Sequence, residues 1–557
     1  MHTPRLVAIG LAGLLAQPFL SASAPPHGRT GLAESPIRHV VVIFDENISF
    51  DHYFGTYPQA TNPAGEPRFT AAPGTPAING LAGALVTDNP NLNPANGTGK
   101  TNPFRLDRSQ ALTADQDHDY GPEQMAFDHG LMDLFPVSVG TAGTPPSPPP
   151  SIVTTTGLTM GYYDGNTVTA LWNYAQHFAM NDNSYGTNFG PSSVGVINLV
   201  SGQTNGVAAS FGGIGSSFIS DGSPSGLTVI GDPDPMGDVC STASAQATMG
   251  GTNIGDLLNA RGVTWGWFQG GFNLSTVNAN GTTGCHRSTT SAVQPTAEVD
   301  YVPHHAGFQF YASTRNETHA RPVSVGMIGQ TDVANHQYDI NDFYAAVQNG
   351  NMPAVSFLKP IKVQNAHAGN SDPLDEQAFI VHVLNFLQAR PEWDSTVVII
   401  AYDDSDGWYD HQMSPIVNQS ETSLDALSAV GACGTSGETT ALPGVSSPHA
   451  QGRCGYGPRL PLLVISPMAK QNFVDHSVTD QSSIIRFIED NWLDGERIGS
   501  GSFDAVAGSL WRMLDIDRRD DDHWNGEGHD HGRAGLLFLN EQTGEPAAPP
   551  PGFKGGR

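Results

Sequence analysis

Short, continuous apolar runs alternate with helical patterns along this chain, and this alternation limits the folds that the chain can adopt. The pattern predicts helices over residues 375–388 and 481–492, where apolar side chains recur at helical spacing. Runs with the length and composition of buried strands lie at 40–44, 194–200, 263–268, 354–358, 396–402 and 460–465. Buried strands that alternate with helices predict an α/β fold with a mostly parallel central sheet flanked by helices.

The charge of the chain argues against one broad class of function. Lys and Arg together number 25, whereas Asp and Glu number 54, so the formal net charge is −29 at pH 7. A chain this acidic repels the phosphate backbone of DNA or RNA. We therefore expect no nucleic-acid partner.

The first 24 residues have the pattern of a secretory signal peptide. Arg5 precedes an apolar run over 6–20, and the small residues of 22–24 provide a cleavage site. The run is shorter than the roughly 20 residues that span a bilayer, and no later stretch is long or apolar enough to do so. The sequence predicts an exported protein, periplasmic or secreted, without a stable membrane anchor.

The cysteines fit an oxidising compartment. Their spacing makes two local disulfides, Cys240–Cys285 and Cys433–Cys454, the simplest of the possible pairings. Metal binding by thiolates is the alternative, although the sequence contains no C-x-x-C pair.

Two of the predicted strands end in acidic residues. The run at 40–44 leads into Asp45, Glu46 and Asn47, and the run at 396–402 leads into Asp403 and Asp404. The carboxyl ends of parallel strands meet at one edge of a sheet, where ligands bind. Carboxylates that converge repel one another unless they hold a cation or take up protons, and such oxygen clusters suit divalent ions. The alternative is an ordinary acidic turn after a strand.

A Gly-Pro-Ser sequence introduces a candidate nucleophile, Ser192. A serine at the start of an element presents its hydroxyl and nearby backbone N–H groups to an anion. A bound metal activates such a hydroxyl. The alternative is a helix cap, a position at which serine is common.

Histidines fall in three loops that also carry candidate chemistry. They are His118, the adjacent pair His304-His305, and His367. Each has the properties of a ligand, an acid or base, or a hydrogen-bond donor to an anion. The alternative is that each is a surface or a satisfied core histidine.

Motifs of several other enzyme classes are absent from the sequence. It has no G-x-S-x-G elbow, which an α/β-hydrolase serine requires, and no G-x-x-x-x-G-K-[ST] loop for nucleotide phosphates. The C-x-P-x-R motif of a sulfatase is also absent.

Taken in order along residues 37–493, the motifs resemble those of the bacterial phosphoesterase family, which includes phospholipases C and acid phosphatases. The resemblance implies a core like that of alkaline phosphatase. The matching residues are Glu46-Asn47, Ser49-Phe50-Asp51-His52, Phe54-Gly55, Asp117-His118, Gly190-Pro191-Ser192, His304-His305, Asp403-Asp404, Tyr409-Asp410-His411 and residues 463–467.

The resemblance also implies a role for each candidate residue. Ser192 would be the nucleophile, and a divalent metal ion of unspecified identity would bind Glu46, Asp403, Asp404 and Ser192. Phosphoryl contacts or leaving-group protonation would fall to Asn47, His118, His305 or its neighbour His304, and His367. If the histidines act as imidazolium, an acidic pH optimum follows.

The same resemblance sets the expected domain organisation. Residues 25–36 form a lead-in, and 37–515 form a single phosphoesterase domain. Within it, residues 59–103 and about 202–250 are excursions, the second an inserted lobe. Residues 516–557 are predicted to be a polar tail, rich in His and Asp and then in Pro and Gly.

The second acidic motif bears on the substrate. The phospholipases C of the family resemble Asp-Glu-x-Gly-Gly-x-Tyr-Asp-His there, whereas this chain has Asp-Asp-Ser-Asp-Gly-Trp-Tyr-Asp-His over 403–411. This departure predicts an acid phosphatase of broad specificity that acts on small phosphate monoesters. The first alternative is a phospholipase C that cleaves phosphatidylcholine-type lipids, and a remote one is a protein that binds metal or phosphate without catalysis.

Overall fold

The computed structural model describes residues 33–143, 151–221, 223–418, 420, 424–427, 433, 453–516, 535–551 and 553. The predicted signal peptide and the His-rich segment 520–533 lie outside these residues.

An eight-stranded sheet forms the centre of the protein, in the order β4-β3-β5-β1-β6-β7-β2-β8. The strands are β1 His39–Asp45, β2 Ala179–Asn181, β3 Trp265–Gln269, β4 Gln337–Asp339, β5 Val355–Lys359, β6 Thr396–Tyr402, β7 Leu462–Ile465 and β8 Phe473–Asp475. Only β7 runs antiparallel to its neighbours within this sheet. The predicted α/β class with a mostly parallel sheet is confirmed. The strands that the sequence did not predict are β2, β4 and β8, each of which has three residues.

The strand β1 lies in the middle of the sheet, and its pairing with both neighbours brings three strand ends to the same edge. It pairs in parallel with β5 on one side and with β6 on the other, and Asp45 is level with Tyr402. The three strands therefore end at one edge of the sheet. The residues that follow β1 and β6 meet there, together with Lys359 at the end of β5.

Helices cover the sheet and supply one element of the site. They are α1 Phe50–Phe54, α2 Ala84–Thr87, α3 Tyr120–Phe127, α4 Phe135–Ser138, α5 Thr169–His177, α6 Ser192–Ser201, α7 Ile254–Arg261, α8 Ile340–Gln348, α9 Pro373–Gln388 and α10 Ser482–Trp492. The helices α9 and α10 match the predicted ones. Among the described residues, none of the helices combines the length and the apolar composition needed to cross a bilayer.

The predicted strand at 194–200 is wrong, because these residues belong to the helix α6. All ten residues of α6 are buried, so the helix has no polar face that would reveal its period. A short, wholly apolar run does not distinguish a buried strand from a buried helix.

The predicted lobe over about 202–250 carries small antiparallel and mixed sheets of its own. Strands Val207–Phe211, Asp234–Pro235 and Gln246–Met249 form one sheet, and Phe218–Ser220 pairs with Leu227–Val229. The predicted disulfide pairing is confirmed. One bridge joins Cys240 of the lobe to Cys285, and the other joins Cys433 to Cys454.

The described end of the chain packs on the helix α9, although the sequence predicted a polar tail there. Asn385 Nδ2 donates to the Leu539 carbonyl at 2.8 Å, and Gln388 Nε2 donates to the Leu537 carbonyl at 3.0 Å. Leu539 is buried. The apolar run over 536–539 explains the packing, because its burial removes apolar surface from water.

Candidate active site

The carboxylates that follow β1 and β6 come together at the edge of the sheet. Glu46, Asp403 and Asp404 are all at most 2% exposed. Two backbone groups lock the strand ends to each other: Asn47 N–H donates to Asp403 Oδ1 at 2.9 Å, and Ile48 N–H donates to the Asp404 carbonyl at 2.9 Å. The sequence-predicted convergence of these side chains is therefore present.

Ser192 lies against this cluster at the first residue of the helix α6. Its Oγ is 3.1 Å from Glu46 Oε2 and 3.4 Å from Asp404 Oδ2. Pro191 takes the N-cap position, and the cap has no side-chain hydrogen bond, so Ser192 does not serve as the helix cap. The Ser193 N–H donates to Asp232 Oδ1 at 2.8 Å, so part of the expected anion-binding helix end already has an internal partner.

A glycine sets the distance between α6 and the acidic loop. A Cβ atom at Gly195 would lie 2.3 Å from the Asp403 carbonyl oxygen and 2.7 Å from the Asp403 Cα. Only glycine allows this approach of two backbones. The contact holds Ser192, one turn earlier in the helix, against the metal-site candidates.

A lysine that the sequence analysis missed lies within the cluster. Lys359 ends β5 and its side chain is fully buried. Its Nζ contacts Glu46 Oε1 and lies 3.5 Å from Asp403 Oδ2. The sequence does contain a signal for this residue, because Lys359 is a charged residue at the end of a buried strand. Glu46 and Asp403, which directly follow buried strands, were recognised by the same contrast.

Burial and mutual repulsion govern the ionisation of the cluster. Burial raises the pKa of Glu46 and the pKa of Asp404 well above their ordinary values, and the neighbouring Asp403 adds to both shifts. Burial also opposes ionisation of Asp403, but the Lys359 ammonium and the hydrogen bonds that Asp403 accepts together outweigh it and lower the pKa of Asp403. Ionisation of all three carboxylates would therefore require positive charge beyond that of Lys359.

The donor set fits a divalent cation. Carboxylate oxygens of Glu46, Asp403 and Asp404 and the hydroxyl of Ser192 are the hard ligands that such ions prefer. Asn47 Oδ1 is also buried and accepts no hydrogen bond from any residue that the structure describes. A buried acceptor without a donor costs free energy, and a cation beside it would remove that cost.

The two adjacent histidines face different partners. His305 is buried, and its Nδ1 lies 3.1 Å from Glu46 Oε1. Burial lowers the pKa of His305 well below its ordinary value, with His304 and Lys359 contributing. His304 turns to the lobe, with its Nδ1 3.4 Å from Asp234 Oδ1. Of the pair, His305 is the one in contact with the candidate metal ligands.

His118 and Asn47 share a partner in Asp406, a residue without a predicted role. Asn47 Nδ2 donates to Asp406 Oδ1 at 2.9 Å, and His118 Nδ1 lies 3.5 Å from the same oxygen. Burial opposes protonation of His118, but Asp404, Asp406 and Asp115 outweigh it and raise the pKa well above its ordinary value. These carboxylates therefore favour the protonated form of His118.

His367 closes this side of the site. Its ring packs edge-on to that of His118 with 5.7 Å between centroids. Burial lowers the pKa of His367, so its imidazole is neutral. Ligand atoms of Asp115, His118, His367 and Asp406 all lie within 4.8 Å of one another.

Glu123 joins the nucleophile segment to the acidic loop and was also missed. Its Oε2 accepts from the Gly190 N–H at 3.0 Å, and its Oε1 accepts from Ser405 Oγ at 2.7 Å. No pattern in the sequence marked Glu123, because its partners come from two distant segments.

Two other groups of acidic and histidine side chains already have partners within the protein that account for their closeness. Asp51, Asp410 and His411 lie close together, but the buried Arg459 guanidinium contacts Asp51 at 3.0 Å and Asp410 at 3.0 Å. Asp238 and His319 lie near Cys240, whose sulfur is in a disulfide. Of the polar residues that open the acidic motif after β1, Glu46 and Asn47 belong to the site, whereas Asp51 belongs to this ion-pair network.

The fold and these side chains define a class of α/β protein in which a serine hydroxyl meets buried carboxylates at the end of a mostly parallel sheet. The chain belongs to the Phosphoesterase family, whose model matches residues 37–493. The predicted family is confirmed. The family is one of enzymes that cleave phosphoric ester bonds, as its name states, which agrees with the predicted enzyme class.

Curated relatives in bacteria carry phospholipase C names. The chain is 27% identical to the non-hemolytic phospholipase C of Burkholderia pseudomallei over 84% of this chain and 57% of that protein. It is 25% identical to the hemolytic phospholipase C of Pseudomonas aeruginosa over 91% of this chain and 60% of that protein. Phospholipase C A of Mycobacterium tuberculosis is 23% identical over 81% of this chain and 72% of that protein. The chain thus spans less than two thirds of the first two.

A solved structure of a protein in the alkaline phosphatase superfamily from Vibrio parahaemolyticus also matches. It has 12% sequence identity over 73% of this chain and 75% of that chain, with a TM-score of 0.26. That score is too low to add to the assignment, which depends on the family match and on the sheet itself.

Proposed function

We propose that this protein hydrolyses phosphoric esters with Ser192 as nucleophile and a divalent metal ion as cofactor. The observation that carries the proposal is the position of Ser192 Oγ within 3.4 Å of carboxylates from two different strand ends. The metal would be held by Glu46, Asp403, Asp404 and Ser192. When bound, it would supply the positive charge that favours the ionised serine hydroxyl.

The chain's own residues would carry the remaining steps. Ser192 Oγ forms a bond to phosphorus as the bond from phosphorus to the ester oxygen breaks, which gives a phosphoserine and an alcohol. The protonated His118 would give the alcohol its proton. A water oxygen then forms a bond to phosphorus as the bond from phosphorus to Ser192 Oγ breaks. One water proton returns to His118 and the other stays on the released phosphate, which restores the ionised Ser192 oxygen. Asn47, His305 and His367 would orient the phosphoryl oxygens.

Phosphate monoesters are the substrates that we propose first. A monoester presents three terminal oxygens to the enzyme, whereas a diester presents two. The side chains available to such oxygens are those of Asn47, His118, His305 and His367, which is a large donor set for one phosphoryl group. The acidic motif over 403–411, which departs from that of the family's phospholipases C, supports the same choice.

Phospholipase C activity is the second candidate. The specific observation in its favour is that the curated relatives named above are phospholipases C and match more than four fifths of this chain. This activity would cleave a phosphodiester between glycerol and phosphate and release the phosphorylated head group.

Phosphorus NMR distinguishes the two activities in one experiment. The purified protein, loaded with divalent metal, is given an aryl phosphate monoester and dispersed phosphatidylcholine, at about pH 5.5 and about pH 7.5. Inorganic phosphate from the monoester alone supports the monoesterase. Phosphorylcholine as the main product supports the phospholipase C and contradicts the first choice. Absence of both products at either pH would overturn the proposed function and favour a binding protein.

A further inference from the structure

The Lys359 ammonium contacts two of the candidate metal ligands and one backbone carbonyl beside them. The side chain is fully buried and lies over the Phe44 ring, 5.0 Å from its centroid. Nζ contacts Glu46 Oε1, lies 3.5 Å from Asp403 Oδ2 and donates to the Asp45 carbonyl at 3.4 Å. An ammonium has three N–H donors, and three acceptors surround this one.

Lys359 contacts one oxygen of each of two carboxylates, and the second oxygen of each carboxylate has a different partner. Glu46 Oε1 faces Lys359, while Oε2 accepts from Ser192 at 3.1 Å. Asp403 Oδ2 faces Lys359, while Oδ1 accepts from the Asn47 N–H at 2.9 Å. Lys359 therefore fixes which oxygen of each carboxylate points away from it. It acts through these side chains, as a positioning residue.

The lysine also changes the charge that a bound ion meets. Three ionised carboxylates would present three negative charges, and a fixed ammonium among them removes one. Substitution of Lys359 by a neutral residue removes one fixed positive charge from the site. At this short range an additional charge discriminates strongly between ions of different valence.

We propose that Lys359 sets the charge preference of the metal site, so that the site binds divalent ions in preference to trivalent ones. The proposal rests on the proposed function, because it takes Glu46, Asp403 and Asp404 as the ligands. It predicts a change in the ratio of two affinities. Loss of positioning weakens both ions alike, whereas loss of the positive charge favours the trivalent one.

The test measures binding of Mn²⁺ and of Tb³⁺ to metal-stripped protein by calorimetry and by terbium luminescence. Wild type is compared with Lys359→Met and Lys359→Gln, the second of which keeps a hydrogen-bond donor. Lys362→Met is the matched control, since Lys362 lies three residues later and pairs with Glu298 at 3.0 Å. We expect the affinity ratio of Tb³⁺ to Mn²⁺ to rise at least about tenfold in both Lys359 variants and to stay unchanged in the control.

The possible failures are distinguishable. Wild type that binds neither ion would overturn the proposed metal site itself. Wild type that binds Mn²⁺, with the same ratio in a folded Lys359 variant, would overturn the role of Lys359 and leave the site standing. If both neutral variants fail to fold while Lys359→Arg folds, Lys359 serves folding and the charge preference is also overturned.

Discussion

Ser192 Oγ lies 3.1 Å from Glu46 Oε2, although 146 residues separate the two in the chain. Glu46 reaches this point directly after the central strand β1, and Ser192 reaches it on the first turn of α6. The contact therefore depends on how closely α6 packs against the loop after β6. Each prediction below tests one part of that arrangement.

Ser192→Ala should abolish turnover and leave metal binding. Removal of a nucleophile lowers kcat by about 10³-fold or more, whereas the carboxylates that would hold the metal remain. Turnover of a monoester and metal content by mass spectrometry give the two readouts. Ser193→Ala is the control, because among the described residues Ser193 Oγ makes a single bond, to the Pro233 carbonyl at 3.4 Å. Equal turnover in Ser192→Ala and wild type would disprove the nucleophile assignment.

Gly195→Ala should destabilise the protein and lower kcat. Alanine ordinarily favours a helix over glycine by about 1 kcal/mol, but here its Cβ would meet the Asp403 backbone at 2.3 Å. We expect a loss of about 1–3 kcal/mol from overpacking, measured by urea unfolding. Gly121→Ala in α3 is the control, since a Cβ there meets no atom within 4 Å among the described residues. Equal stability changes in the two variants would contradict the close approach.

Asp406→Asn should move the alkaline limb of the activity profile to lower pH. The carboxylate is one of the charges that raise the pKa of His118, after burial lowers it. If protonated His118 is the proton donor, activity falls as pH rises through its pKa, and a lower pKa brings that fall earlier. A shift of about one pH unit is expected. Asn also suits the left-handed backbone of this residue, at φ 54°.

The control for this change is Asp117→Asn, an exposed neighbour of His118 in the sequence. An unchanged pH profile in Asp406→Asn would show that His118 does not donate the proton. A fall in activity at all pH values without a shift would assign Asp406 to structure.

Wild type should lose stability as pH rises from 4.5 to 8, and Glu123→Gln should not show this loss. Burial raises the pKa of Glu123 from 4.5 to about 8. Burial favours the neutral form of Glu123 in the folded state. The contribution of Glu123 to the free energy of unfolding is therefore complete below pH 4.5 and is lost as pH rises towards 8. A shift of this size corresponds to a few kcal/mol, on the order of 1.4 kcal/mol per unit.

The measurement is the free energy of unfolding of both proteins across about pH 4.5 to 8. Gln keeps the shape of Glu123. Its side-chain oxygen can accept from the Gly190 N–H, and its side-chain NH₂ can donate to Ser405 Oγ. The stability of the variant relative to wild type should increase with pH. A constant difference would mean that Glu123 is ionised throughout.

Sequence patterns alone predicted the fold class and most of the candidate site. A buried strand is apolar along its whole length, so acidic residues directly after it, such as Glu46 and Asp403, stand out against a local background. The same local contrast marked Ser192, His118, the pair His304-His305 and His367. These signals need only neighbours in the chain, which is why sequence alone can show them.

Tertiary structure decided the rest, because those features depend on contacts between distant segments. The sequence could not distinguish a strand from a helix at 194–200, because complete burial removes the polar face that helical periodicity requires. The roles of Lys359, Asp406 and Glu123 arise from partners on other elements, and no local pattern in the sequence identifies those partners. The packing of the described chain end on α9 has the same origin. Sequence determines which residues have the chemistry, and the folded structure determines which of them meet, because the free energy of a contact exists only where two segments are brought together.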